Sequence, residues 1–178
     1  MKIGLVRHGN VLYHDPFFTT GKTFDAGRVA YDTAEIAKTT LKIMAEDFPV
    51  CYASSKQRAI DTAKLIYPGT FIVTDELIEV PNSAFFLLRI HLPSSLRAAM
   101  GRLAWFFNYH KMPETRIQSN QRAQKFLSNL LATTQQNVLL VTHGFFMQSL
   151  RYELRKMGFK GHCPYAPPNA KLYVFEKT

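Results

Sequence analysis

Cysteine is scarce in this 178-residue chain, and long apolar runs are missing. Cys51 and Cys163 lie far apart and form no C-x-x-C pair. That spacing argues for free thiols in a reducing compartment and against a disulfide scaffold. No unbroken apolar stretch is longer than Ala84 to Leu88, which falls far short of the roughly 20 residues a membrane helix needs, so no membrane association is expected. Only a few apolar residues separate Met1-Lys2 from Arg7, and no signal peptide is readable. A cytoplasmic location is the expectation. Repeats, low-complexity tracts and Gly/Ser/Pro-rich linkers are also lacking, so residues 1–178 are expected to form one domain. A chain of this size buries roughly 70% of its unfolded surface, enough for a core without staples.

Acidic residues are thin in one half. The formal net charge is +9, from 22 Lys+Arg and 13 Asp+Glu. Residues 1–90 hold ten of each sign, whereas residues 91–178 hold 12 basic and 3 acidic. From Val80 to Met112 there is no acid at all. A one-sided basic half suits an anionic partner, whether a phosphate compound, a nucleic acid or an acidic protein surface. No RNA-binding motif is visible, which makes nucleic acid the weaker of these.

Apolar patterning alternates between strand-like and helix-like segments. Lys2–Arg7 reads as a buried strand stopped at Gly9. Gly27–Phe48 carries Val29, Thr33, Ile36, Thr40, Ile43 and Met44 on one helical stripe, ended by Pro49. Val50–Ser54 is a second strand, followed by a helix capped by Ser54 or Ser55 and running to Ile66. Thr70–Leu77 is a third strand. Ser94 or Ser95 should cap a helix with Leu96, Ala99, Met100, Leu103 and Phe107 on its inner face and Trp105 on a second packing face. A helix over about 116–132, a strand at Val138–Thr142, a helix through Met147, Leu150 and Leu154, and a polar-flanked edge strand at Lys171–Lys177 complete the chain. This order predicts a three-layer α/β/α sandwich whose sheet is mostly parallel with an edge strand.

In such sheets ligands sit beyond the carboxyl ends of the strands. Three polar clusters fall there: Arg7-His8-Gly9, Ser54-Ser55 with Arg58, and His143-Gly144. Glu79 follows the third strand. The set suits phosphoryl transfer. Arginine forks match phosphate oxygens and stay charged. A histidine can attack phosphorus and carry a covalent phosphohistidine. A carboxylic acid can protonate the leaving oxygen. The helix after His143 should turn its amides toward the same place. Arg58 in a helix's first turn opposes the helix dipole, a misfit that favours a functional reading. Zinc is not expected, since no tight Cys/His spacing occurs.

These residues resemble the histidine phosphatase superfamily, also called phosphoglycerate mutase-like. Arg7-His8-Gly9 matches its name-giving motif. Ser54-Ser55-Lys56-Gln57-Arg58-Ala59 through Thr62-Ala63 matches its SS-x-x-RA-x-x-TA segment. Leu77-Ile78-Glu79 matches the segment around its acid, and Val141-Thr142-His143-Gly144 its second-histidine motif. The resemblance implies a phosphatase with His8 as covalent acceptor and Arg7, Arg58 and His143 on the phosphoryl oxygens. Glu79 would be the acid, then the base that activates water. Neither cofactor nor metal is implied, and the partner would be a phosphorylated small molecule or phosphoprotein. Alternatives are mutase-type phosphotransfer and a non-catalytic module for an anionic partner. Mutases of the family usually have longer chains, which favours hydrolysis. Asn10-Val11 stands where many members have Glu or Gln plus Thr, and His14 where many have Asn. Asn10, His14, Arg89 and Gly144 are the further substrate contacts expected. Residues 80–113, basic and rich in Phe85, Phe86, Leu87, Leu88, Ile90 and Leu92, are expected to form a partial cap over the sheet edge, with Arg89 or His91 reaching toward substrate.

Overall fold

The computed structural model describes residues 1–82 and 89–177. Its centre is a six-stranded sheet. In chain order the elements are β1 (Lys2–Arg7), β2 (Phe18–Thr19), α1 (Gly21–Thr33), β3 (Val50–Ser54), α2 (Gln57–Ile66), β4 (Ile72–Thr74), β5 (Leu92–Pro93), α3 (Ser94–Phe106), α4 (Arg116–Thr133), β6 (Val138–Thr142), α5 (Phe146–Lys156), β7 (Lys160–Gly161) and β8 (Leu172–Glu176). The sheet order is β4-β3-β6-β1-β8-β7. β4, β3, β6 and β1 run parallel, and β8 lies antiparallel to β1.

Period-two alternation builds the layers. Along β6, Val138 and Leu140 enter the core on the α4/α5 face with Leu127, Leu150 and Leu154. Leu139 and Val141 enter the opposite core with Ala59, Ala63 and Ile66 of α2. Because both faces are covered, β6 is buried throughout, and it can be an uninterrupted apolar run. The result is the expected mixed α/β architecture, a mostly parallel sheet flanked by helices.

Several boundaries differ from the sequence reading. The helix expected over Gly27–Phe48 is instead α1, which starts at Gly21 under a Thr20–Thr23 capping box and stops at Thr33. Beyond it, backbone pairs with the loop after β1: Leu12 N–H donates to Glu35 O at 2.8 Å and Ala37 N–H to Asn10 O at 2.7 Å. A helix there would withdraw those groups from this pairing. The third strand is shorter than expected, since Thr74 caps a 3-10 turn at Asp75–Leu77. The serines expected as helix caps do other work. Ser55 Oγ bonds Asp75, and Ser94 Oγ bonds the Pro16 carbonyl. α3 is rotated about its axis, burying Arg97, Gly101 and Trp105, while Leu103 and Phe107 are 57% and 74% exposed. Trp105 decides that rotation: its Nε1 donates to Ser119 Oγ at 3.0 Å and its ring meets Phe145 edge-on. The last strand, β8, is not outermost, because the two-residue β7 pairs beyond it.

A second, two-stranded sheet joins β2 to β5. With Arg97 donating to the Thr19 and Ile90 carbonyls, it ties the approach to α1 to the start of α3. Among the described residues no helix is long and apolar enough to cross a membrane. Phe85 to Leu88 of the expected cap lie outside the described residues.

Candidate active site

β1, β3 and β6 end side by side, so parallel register brings their carboxyl-end residues together: Arg7 pairs with Thr142, and Ala53 with Val141. A cavity of about 380 Å³ opens at this edge, lined among others by Arg7, His8, Lys56, Arg58, Glu79 and Arg102. α1 supplies a further wall through Arg28, Tyr31 and Asp32, spaced to share one helical face.

His8 is 2% exposed at the floor. Its Nδ1 lies 2.8 Å from the Gly9 carbonyl oxygen. A carbonyl can only accept, so Nδ1 carries the proton and Nε2 keeps its lone pair. Burial foremost, then the Arg58 and Arg7 charges, lower the His8 pKa to about 3, so the imidazole stays neutral near pH 7. Asn169 Nδ2 donates to the His8 carbonyl at 2.7 Å, and Gly9 N–H donates to Thr62 Oγ1 at 2.7 Å, fixing the loop on both sides.

His143 is wholly buried beside His8, with ring centroids 5.1 Å apart. Its Nε2 lies 2.8 Å from Ser54 Oγ, and its Nδ1 has no hydrogen-bond partner among the described residues. Burial, then His8 and the nearby cations, hold its pKa well below the ordinary value. Arg7 Nη1 donates to the Pro167 carbonyl at 2.9 Å. Gly144 packs on that guanidinium so closely that a Cβ would stand 3.1 Å from Arg7 Nε. Arg58, 4% exposed, pairs with Asp32, which also accepts from Lys56 Nζ at 2.7 Å.

Glu79 is docked on the start of α5. Its Oε1 accepts from Val80 N–H at 2.9 Å and Phe146 N–H at 3.0 Å, and Oε2 accepts from Phe145 N–H at 3.3 Å. The first amides of α5 therefore hold the carboxylate rather than standing open for phosphate. Arg102 Nη2 is 4.0 Å from Oε2, its Nη1 donates to Val80 O, and its guanidinium stacks 3.8 Å over the Phe145 ring.

Neutral histidine, clustered guanidinium groups and a fixed carboxylate around one cavity match a family pattern. A family model described as the histidine phosphatase superfamily (branch 1) matches residues 3–178. The chain belongs to that superfamily. No curated protein matches it. Among solved structures it is similar to a mycobacterial glucosyl-3-phosphoglycerate phosphatase, at 19% identity over 97% of this chain and 88% of that one, TM-score 0.58. It is also similar to an Entamoeba histolytica phosphoserine phosphatase mutant in complex with phosphoserine, at 14% identity over 97% and 89%, TM-score 0.57. A putative alpha-ribazole-5'-P phosphatase from Escherichia coli aligns at 22% identity over 86% and 79%, TM-score 0.50. At these identities the likeness is one of fold.

Of the residues singled out from sequence, this member of the histidine phosphatase superfamily brings Arg7, His8, Arg58 and Glu79 to the cavity wall. His143 and Gly144 lie directly behind it, against His8 and Arg7. Asn10, His14, Arg89 and His91 are exposed and do not line the cavity. Sequence reasoning missed Arg28, Tyr31, Asp32 and Asn169. Arg28, Tyr31 and Asp32 fall inside both the expected helix and α1, but the sequence reading followed the apolar stripe from Val29 and passed over this polar face. Asn169 gave none. Arg102 was noted only as part of a basic segment.

Proposed function

We propose that this chain is a phosphatase that hydrolyses a phosphate monoester through a phosphohistidine on His8. The observation that carries the reading is the Nδ1 contact with the Gly9 carbonyl, which leaves Nε2 a neutral nucleophile in a cationic cavity. In the first step the Nε2 lone pair forms the N–P bond as the ester P–O bond breaks. Glu79 gives its proton to the departing oxygen. Oε2, which accepts one backbone bond at 3.3 Å and faces Arg102 Nη2 at 4.0 Å, has fewer hydrogen bonds than Oε1 and is the oxygen to carry that proton. In the second step Glu79 takes a proton from water, whose oxygen displaces His8 and yields inorganic phosphate.

Arg7 and Arg58 neutralise the phosphoryl oxygens, and their Nε groups have no hydrogen-bond partner among the described residues. His143, which the family motif assigns to the phosphoryl group, stands directly behind His8 with its Nδ1 unpartnered among the described residues. Lys56, Arg28 and Arg102 add positive charge around the same cavity, so charge neutralisation by side chains supports a metal-independent reaction. Val80, Pro81, Asn82 and Arg102 form the side of the cavity next to Glu79. This part of residues 80–113 is the cap that meets the leaving group.

A cavity of about 380 Å³ suits a phosphorylated small molecule better than a folded phosphoprotein. The phosphoserine and 3-phosphoglyceric acid complexes of the Entamoeba histolytica phosphatase support that class of substrate. The test is release of inorganic phosphate from a panel of small phosphate esters with EDTA present. Turnover in EDTA is expected. Turnover that needs an added metal would remove the metal-independent mechanism, and transfer to an added alcohol without phosphate release would favour a mutase.

A further inference from the structure

Asp32 is an anion set inside an anion-binding cavity. One carboxylate oxygen accepts from Arg58 Nη1 and the other from Lys56 Nζ at 2.7 Å. The side chain is 33% exposed and lines the cavity. Burial alone would push its carboxyl upward, but Lys56 and Arg58 outweigh burial and hold it below the usual carboxylate range. Arg58 has no other carboxylate partner among the described residues. Arg28, one turn earlier on α1, is paired elsewhere, with Asp15.

Five cationic side chains line the cavity: Arg7, Arg28, Lys56, Arg58 and Arg102. Without Asp32, Glu79 would be the one carboxylate left on the described cavity lining, and Arg28, through Asp15, would keep a carboxylate partner outside it. Such a site would hold inorganic phosphate tightly after the ester bond is broken, and slow product release limits kcat. A carboxylate shared between the two cations of the α2 side does two things. It fixes their side chains in the cavity before substrate arrives, and it weakens the net attraction for a dianion that has lost its ester group.

We propose that Asp32 is a positioning counter-ion for phosphoryl transfer, one that orients Arg58 and Lys56 and speeds release of inorganic phosphate. The proposal rests on the phosphatase reading above. Asp32 touches the two cations rather than the reacting atoms, so it acts through them.

The experiment compares wild type with Asp32→Asn, which keeps the shape and removes the charge. Calorimetric titration with inorganic phosphate in metal-free buffer gives Kd, and steady-state kinetics on a hydrolysed ester gives kcat and KM. The Kd for phosphate should fall about five- to tenfold, the scale of one charge at a partly solvated site. kcat should fall with it, and Asp32→Glu should restore both. A merely structural lesion would weaken phosphate binding instead. Asp32→Ser carries the same expectation should the asparagine variant fail to fold. A folded neutral variant with unchanged or weaker phosphate binding overturns the proposal while leaving a phosphate-releasing wild type intact. Failure of wild type to bind phosphate or hydrolyse any ester overturns both readings.

Discussion

The Glu79 carboxylate accepts the backbone N–H of Phe146 at 3.0 Å, so the candidate acid is seated on the first turn of the helix that follows His143. One junction thus sets the position of two functional side chains on different strands' ends. The charge-assisted bonds from Val80, Phe145 and Phe146 fix Glu79 more firmly than its place in a connecting loop would suggest.

That anchoring makes the acid role testable by leaving-group dependence. Glu79→Gln keeps an acceptor for these amides and removes the transferable proton. Turnover of an alkyl phosphate should drop about 10²- to 10⁴-fold, whereas a nitrophenyl phosphate, whose leaving group departs unprotonated, should lose much less. The kcat ratio of the two esters is the measurement. Equal losses would reject the assignment.

Gly144 predicts a second effect at a distance. An alanine Cβ there would stand 3.1 Å from Arg7 Nε and 3.3 Å from its Cδ and Cζ. Arg7 is tied to the Pro167 carbonyl, so the guanidinium must shift by a few tenths of an ångström against an anchored bond. Gly144→Ala should lower kcat/KM about tenfold through misplacement, with little change in Tm. An unchanged kcat/KM would mean that the Arg7 position tolerates such movement.

The buried histidines predict how stability responds to acid. His8 has a pKa of about 3 in the folded protein against an ordinary 6.5. Between those values the unfolded chain binds a proton that the folded chain does not, so stability falls as pH drops through this window. His8 alone should cost about 2 kcal/mol between pH 7.5 and 5.0. Urea unfolding at both pH values in phosphate-free buffer should show wild type losing about that much more than His8→Asn. Equal losses would show that His8 titrates normally in the folded chain.

Legibility in the sequence followed burial. β1 and β6 were readable because both faces are covered, which makes them apolar runs that stop abruptly at Arg7-His8-Gly9 and at His143-Gly144. The polar residues at those stops then named most of the site. α1 was not readable. Its buried positions are Gly21, Phe24 and Gly27, two of them glycine, while its functional face is polar. The apolar residues farther on, including Ile36 and Ile43, pack from irregular backbone and imitate a helical stripe. α3 misled for a related reason. Its most apolar stripe faces outward, and one tryptophan with a hydrogen-bond partner on α4 fixes the opposite face inward. Asn169 reaches the His8 carbonyl from 161 residues away, a contact no local pattern encodes.

The central claim is a covalent phosphoryl group on His8, and acid- and alkali-quenched turnover of a ³²P-labelled ester tests it most directly. The account predicts an alkali-stable, acid-labile label that maps to the peptide containing His8, is absent in His8→Ala, and builds up when Glu79→Gln slows its hydrolysis. A label on any other residue, or full turnover by His8→Ala, would contradict it.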